Sequence, residues 1–188
     1  MSAAATPFGL VPAYHPSGII RPTAYTITSG YATGILSNQP VKIVPSSTGE
    51  GTIAAAAVGD RSIGTFLGVS YVDANGVFTF ANKWTASTTG TNITAFVTLD
   101  PAIVYNIQAD DTLTVADIGK QYDMNTASGS TTTGLSTISL DVASVSVTNA
   151  MYRVIGLTPG PDNAWGDAYP IVQVQISEHQ NVASIAAY

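Results

Sequence analysis

The sequence of 188 residues contains no cysteine and very few charged residues. Without cysteine there is no disulfide framework, no thiolate nucleophile and no cysteine-based metal site. Lys, Arg, Asp and Glu together make up 10% of the chain, against roughly a quarter in ordinary soluble domains. A surface with so few charges has to be covered by Ser, Thr, Asn and Gly, and such a surface tends to associate with others. The composition therefore favours a subunit that works inside an assembly.

Positive charge is both scarce and dispersed. The net charge is −6, and the six basic residues form no cluster: Arg21, Lys42, Arg61, Lys83, Lys120 and Arg153. Because phosphate groups require a concentrated positive patch, nucleic acid is not expected as a partner. The sequence shows neither a basic leader nor a run of 18 apolar residues, so we expect no membrane partner and synthesis in the cytoplasm.

Catalytic groups are equally few. The only histidines are His15, which lies among prolines, and His179, which follows the last apolar run. The first is a poor place to hold catalytic geometry, and we expect the second to be solvated or at an interface. A calcium ion could gather Asp110, Asp111, Asp117 and Asp123, but adjacent aspartates are more often turn formers. We therefore expect no enzymatic activity, no metal and no cofactor.

The N-terminal segment differs in composition from the rest of the chain. Residues 1–22 are rich in proline, glycine and small residues, which interrupt both helices and sheet ladders. We expect an extended arm over residues 1–22, followed by a single β domain over residues 23–188. The candidate partner-binding residues are the five apolar anchors of this arm: Phe8, Leu10, Tyr14, Ile19 and Ile20. The alternative is that the arm packs on its own domain or stays disordered.

Short runs of β-branched and aromatic residues alternate with turn residues from residue 23 onward, which is typical of strands. Strands are predicted near 24–28, 41–44, 63–72, 77–80, 93–99, 104–108, 151–157 and 171–176. Asn75-Gly76 predicts a tight hairpin turn. The polar segment 126–136 predicts a flexible loop, and Thr114 to Asp117 predicts one capped helical turn. We expect an all-β fold, either a compact barrel or a sandwich, with a jelly roll possible and the strand order left open.

Several segments share a pattern with a known family. They are TPFGLVP (6–12), SGYATGI (29–35), QPVKIV (39–44), IGTFLGVSY (63–71), VYNIQAD (104–110), DIGK (117–120) and RVIGL (153–157). In these segments the chain resembles the head decoration (cement) proteins of tailed bacteriophages, in a form found in aquatic short-tailed phages. The resemblance covers most of the chain in order, and none of its segments is a catalytic signature.

The resemblance implies a structural protein of the virion that binds the outer surface of the capsid. Its expected partners are the major capsid protein, at the points where neighbouring capsomers meet, and further copies of itself in a homotrimer. The chain departs from the family pattern at Thr98-Leu99, where the family is more acidic, and at 134–136, where the family carries an arginine. Both departures lower the charge, which indicates a different capsid partner or a different set of contacts.

The alternative class is an adhesin of the phage tail or host surface. Such a β-sandwich would bind glycans through exposed aromatic side chains, for which Trp84 and Trp165 are the candidates. Tryptophans serve equally well as interface hot spots or as core residues.

Overall fold

The computed structural model describes residues 4–46, 51–126, 129–146 and 149–183. Within these ranges the chain forms thirteen strands and two short 3₁₀ turns, and the predicted all-β class is confirmed. The strands are β1 (Val11–Tyr14), β2 (Pro22–Tyr25), β3 (Pro40–Ile43), β4 (Ile53–Ala55), β5 (Gly64–Asp73), β6 (Phe78–Ala81), β7 (Gly90–Thr98), β8 (Val104–Gln108), β9 (Gln121–Tyr122), β10 (Gly129–Ser130), β11 (Leu135–Ser136), β12 (Tyr152–Leu157) and β13 (Ile171–Ile176).

Two antiparallel sheets contain most of these strands in a sandwich-like arrangement. Sheet I has the order β1-β8-β13-β12-β9. Sheet II has the order β2-β7-β5-β3-β4, with β6 paired to β5 beside that path. All eight predicted strands are present, but their neighbours in the sheets are often distant in sequence.

Each sheet covers its own hydrophobic cluster. Sheet I buries Tyr105, Tyr152, Val172 and Val174, among others, while sheet II buries a cluster that includes Phe66 and Trp84. Along β13 the half-buried and buried positions alternate, as expected for a strand with one face in the core. Burial of these apolar side chains is the main stabilising contribution in each sheet.

Buried hydrogen bonds join the two sheets. The hydroxyl groups of Thr98, at the end of β7, and Tyr105, in β8, lie 2.9 Å apart. The His179 Nε2 lies 2.9 Å from the Ile63 carbonyl oxygen and 3.0 Å from that of Leu99. Since unpaired polar groups are costly inside a protein, these hydrogen bonds allow polar side chains to occupy the interior.

The predicted hairpin between β5 and β6 is confirmed, although its turn differs from the expected one. The Asp73 N–H donates to the Val77 carbonyl oxygen (2.9 Å) and the Gly76 N–H donates to that of Asp73 (3.0 Å). Gly76 has φ +79°, whereas Asn75 is not in the positive-φ region. The loop is therefore a three-residue one in which glycine alone adopts the left-handed conformation.

Two local predictions had different outcomes. The predicted helical turn is confirmed as the 3₁₀ turn Val115–Asp117. The prediction of a flexible loop over 126–136 is wrong for the described part of that segment, because β10 and β11 form a small hairpin there. Ser136 is buried and its N–H donates to the Ser37 carbonyl oxygen at 3.0 Å. Residues 127 and 128 of this segment lie outside the described residues.

Candidate partner-binding surfaces

The N-terminal segment is part of sheet I. Strand β1 pairs antiparallel with β8, opposite Val104 to Asn106, and the Leu10 N–H donates to the Asn38 carbonyl oxygen at 2.8 Å. Near its start, the Thr6 N–H donates to the Gln108 Oε1 at 2.8 Å. These bonds pack residues 4–22 on the domain assigned to 23–188, as in the alternative given for the extended arm over 1–22, and β1 is an edge strand of sheet I. Residues 1–3 lie outside the described residues.

The five apolar anchors of this segment differ in burial. Leu10 is fully buried in the sheet I cluster, and Ile20 packs against that cluster. Phe8 is half-buried. Tyr14 and Ile19 remain exposed, with 45% and 56% of their surface accessible. The core itself uses Leu10, so only Tyr14 and Ile19 present a large apolar surface to a partner.

Ile19 lines a surface hollow of about 600 Å³ between the β1–β2 and β7–β8 connections. Apolar groups from Ile19, Leu99 and Pro101 form part of its wall, and Arg21 and His15 add polar groups. A hollow of this size and mixed character matches the pockets that hold an apolar anchor residue together with a few polar contacts.

His15 connects the two sides of this hollow. Its Nε2 lies 3.2 Å from the Asp100 carboxylate, while its Nδ1 accepts the Ser17 N–H (3.0 Å) and lies 2.6 Å from the Ser17 hydroxyl. Because Nδ1 accepts the backbone N–H, the ring proton is on Nε2, where it can be donated to Asp100. Sequence reasoning missed this pairing because the two residues belong to connections far apart in the chain.

The Ser17, His15 and Asp100 side chains have the residue types of a nucleophilic triad, but the two N–H groups next to the Ser17 hydroxyl are already used. The Ser17 N–H donates to the His15 ring, and the Gly18 N–H donates to the His15 carbonyl oxygen at 2.7 Å. Acyl transfer needs free N–H donors aimed at the developing oxyanion. The geometry therefore favours a turn that binds the β1–β2 connection to the β7–β8 connection.

A second exposed apolar surface, the β6 patch, consists of Val77, Phe78 and Phe80. These side chains are 57%, 69% and 70% exposed. The Phe80 ring lies 6.1 Å from that of Phe96 on β7, across Gly68 of the intervening strand. Neighbouring exposed apolar side chains such as Phe78 and Phe80 typically mark a contact site. The alternation of Phe78 and Phe80 places them on one face, but only the sheet decides that this face points outward.

The sequence also offered tryptophans as glycan-binding candidates and acidic residues as metal-binding candidates. Trp84 is 1% exposed and therefore offers no open aromatic face, while Trp165 is half-buried and packs against the sheet I cluster. Among the described residues, no group of three or more His, Asp and Glu side chains is placed to hold a metal ion. Over the same ranges, no helix is long and apolar enough to cross a membrane.

His179 is fully buried, which corrects the expectation of a solvated or interface histidine. Burial lowers the pKa of His179 below its ordinary value, although the Ile63 and Leu99 carbonyl groups act in the opposite direction. Its Nδ1 accepts the Asn181 N–H at 3.1 Å, which leaves the Nε2 proton for the two carbonyl oxygens. The neutral ring therefore acts as a structural connector between the sheets.

In comparisons with known proteins, no protein-family model, curated protein or solved structure matches this chain. A functional proposal therefore depends on the sequence pattern and on the two exposed apolar surfaces described above.

Proposed function

We propose that this protein is a non-enzymatic capsid decoration (cement) protein that binds the outer surface of the major capsid protein shell and stabilises a phage head. The family resemblance along most of the sequence supports this function. The low charge content supports it as well, since a subunit whose surface is largely covered by its partners does not need many charges for solubility. In this proposal the protein is located on the virion and has no nucleic acid, membrane or cofactor partner.

The observation that carries the proposal is the exposure of Tyr14 and of Ile19, which lines the hollow. Both side chains belong to a segment that sheet I already holds in place, so docking would not require ordering a free chain. Pre-ordering of this kind reduces the entropic cost of binding. In the proposed complex, Tyr14 and Ile19 contact the capsid protein, and an apolar side chain of the capsid protein enters the hollow.

A homotrimer at the junction of three capsomers is the proposed arrangement on the shell. Cyclic symmetry allows one patch to be buried on every subunit. Light scattering on the isolated protein and the symmetry of the density in an electron-microscopy map of purified heads would test the trimer directly.

The attachment surface can be tested by rebinding to phage heads stripped of the protein. The double substitution Tyr14→Ser and Ile19→Ser should lower affinity by about 10- to 100-fold, because two apolar anchors are lost. Val115→Ser is the matched control, since Val115 is 61% exposed outside the hollow. Equal binding of the double variant and the control would contradict this attachment surface, and no binding of the wild-type protein would contradict the function itself.

A glycan-binding adhesin is the second candidate function. The exposed phenylalanines of the β6 patch could stack on sugar rings, but the tryptophans that would best suit this role are buried or packed on the core. Saturable binding of the isolated protein to a glycan array would favour the adhesin over the decoration protein.

A further inference from the structure

The strand β6 has one side that no strand of the described chain covers. It pairs with β5 through Val72↔Phe78, Tyr71↔Thr79, Ser70↔Phe80 and Val69↔Ala81, without a bulge. Natural proteins usually protect such an edge with a lysine, a proline, a bulge or a covering loop. The four residues of β6, Phe78–Ala81, contain no charge and no proline. Within the described residues, the β10–β11 turn contacts only the residues just after the strand, Asn82 and Lys83, and Phe78 and Phe80 stay exposed, so the edge is open to pairing with another strand.

The hydrogen-bond pattern of the hairpin shows which backbone groups face this open edge. Asp73 and Val77 form a hydrogen-bonded pair, and hydrogen-bonded and non-hydrogen-bonded pairs alternate along an antiparallel ladder. Thr79 is then bonded to Tyr71 of β5. Phe78 and Phe80 occupy the alternate positions, so their N–H and C=O groups point away from β5. The residues with the most exposed large side chains also present the free backbone groups.

We propose that β6 pairs with β6 of a second copy of this chain, antiparallel and centred on Thr79. In this register Phe78 lies opposite Phe80 of the other copy, and Phe80 lies opposite its Phe78. Each of these two pairs exchanges both N–H to C=O hydrogen bonds, which gives four across the seam. This register is the one that places both outward-facing residues of the strand opposite outward-facing residues of the other copy. Shifts by two residues place one of them opposite Gly76 or Asn82, which lie outside the strand.

Side chains and charge support a second copy as the occupant. Directly opposed residues on one face of a pair contact each other, so the four phenylalanines form one cluster that continues the Phe80 to Phe96 contact. No charged residue lies between Asp73 and Lys83, so two chains of net charge −6 can meet here without opposing carboxylates. In the proposed register Lys83 lies beyond the strand, near Asn75 of the other copy.

The size of the surface determines the strength of this contact. The exposed fractions of Phe78 and Phe80 amount to roughly 300 Å² per copy, less than half of what a standard stable interface buries on each partner. The pair is therefore weak in dilute solution and forms when the protein is concentrated. A two-fold contact closes on itself as a pair, so within the proposed trimer it would join subunits of different trimers. The inference does not depend on the proposed capsid function.

Single cysteines test the register directly, because the natural chain has none. In the proposed pair Thr79 lies on the two-fold axis, opposite its own equivalent, at a spacing that a disulfide can bridge. Val77 lies about 13 Å from its equivalent, although it is well exposed. Under mild oxidation, purified Thr79→Cys protein should therefore form a disulfide-linked pair at least about tenfold faster than Val77→Cys protein.

Sedimentation velocity over a concentration series gives the second measurement. Wild-type protein should associate further as its concentration rises, while the double variant Phe78→Ser and Phe80→Ser should not show this step. Val115→Ser, which removes an exposed apolar side chain elsewhere, should behave like the wild type. Circular dichroism confirms that each variant is folded. Equal crosslinking rates at positions 77 and 79, or no concentration-dependent association of the wild type, would overturn the proposal. The second result would leave a different protein as the partner of this edge.

Discussion

The His179 Nε2 lies 2.9 Å from the Ile63 carbonyl oxygen, and this contact connects the end of sheet I to the start of β5 in sheet II. His179 follows β13 of sheet I, while Ile63 belongs to the cluster under sheet II. The Leu99 carbonyl oxygen, just after β7, lies 3.0 Å from the same nitrogen. One neutral imidazole therefore holds three segments that are distant in sequence.

The burial of His179 predicts a pH dependence of stability. Burial lowers its pKa in the folded chain below the ordinary value of 6.5, so the unfolded chain binds the proton more readily. The contribution of His179 to the free energy of unfolding is then complete above about pH 6.5 and is lost as the pH falls through the lower pKa of the folded chain. Urea unfolding at a series of pH values should show this decline in the wild type. His179→Gln, which cannot take up the proton, should show a flatter profile, and equal profiles would contradict the assignment.

The position of Leu10 predicts that the N-terminal segment stabilises the domain. Leu10 is fully buried in the sheet I cluster, so Leu10→Ala should lower the free energy of unfolding by about 2 to 5 kcal/mol. Ile19→Ala, at a site 56% exposed, should change it by less than about 0.5 kcal/mol. Chemical denaturation measures both values. A Leu10→Ala variant as stable as the wild type would show that the segment is dispensable for folding.

The close approach of β5 to β7 at Gly64 leaves no room for a side chain at this position. Gly64 has φ +150°, and a Cβ atom added there would lie 1.6 Å from the Thr98 carbonyl oxygen. Gly64→Ala should therefore cost more than about 3 kcal/mol or prevent folding. Gly30 has φ +78° with no atom within 4 Å of an added Cβ, so Gly30→Ala should cost only about 1 to 2 kcal/mol. Thermal unfolding of both variants separates the clash from the conformational effect.

Asp117 predicts sensitivity to acid at the 3₁₀ turn. Burial acts to raise its pKa, but hydrogen bonds from Lys120, Thr114 and Tyr122 prevail and lower the pKa of Asp117 to about 2. The contribution of Asp117 to the free energy of unfolding is therefore complete above about pH 4 and is lost as the pH falls through 2. At neutral pH, Asp117→Asn should lower the free energy of unfolding by about 1 to 3 kcal/mol.

The control for Asp117 is Asp111→Asn, because the exposed Asp111 carboxylate accepts the N–H of the adjacent Thr112. This variant should change the free energy of unfolding by less than about 0.5 kcal/mol. Equal effects of the two substitutions would indicate a general charge effect instead of the local hydrogen bonds of Asp117.

The sequence by itself determined the local elements of this protein. The β-branched runs became strands because side-chain alternation and turn residues act over a few positions, as in β13 and in the hairpin at Gly76. The capped turn after Thr114 was predictable for the same reason. The all-β class follows from these local signals together, and the sparse catalytic residue types are equally visible without a structure.

Only the tertiary structure decided which of these elements meet and which side chains stay exposed. The pairing of β1 with β8 buries Leu10 and leaves Ile19 open, although both lie in one proline-rich segment. Likewise, the alternation in β6 places Phe78 and Phe80 on one face, but the packing of sheet II determines that this face is the outer one. Burial of His179 depends on Ile63 and Leu99, which are remote in the chain. These outcomes result from contacts between distant segments, and the periodicity of a single segment contains no information about its neighbours in space.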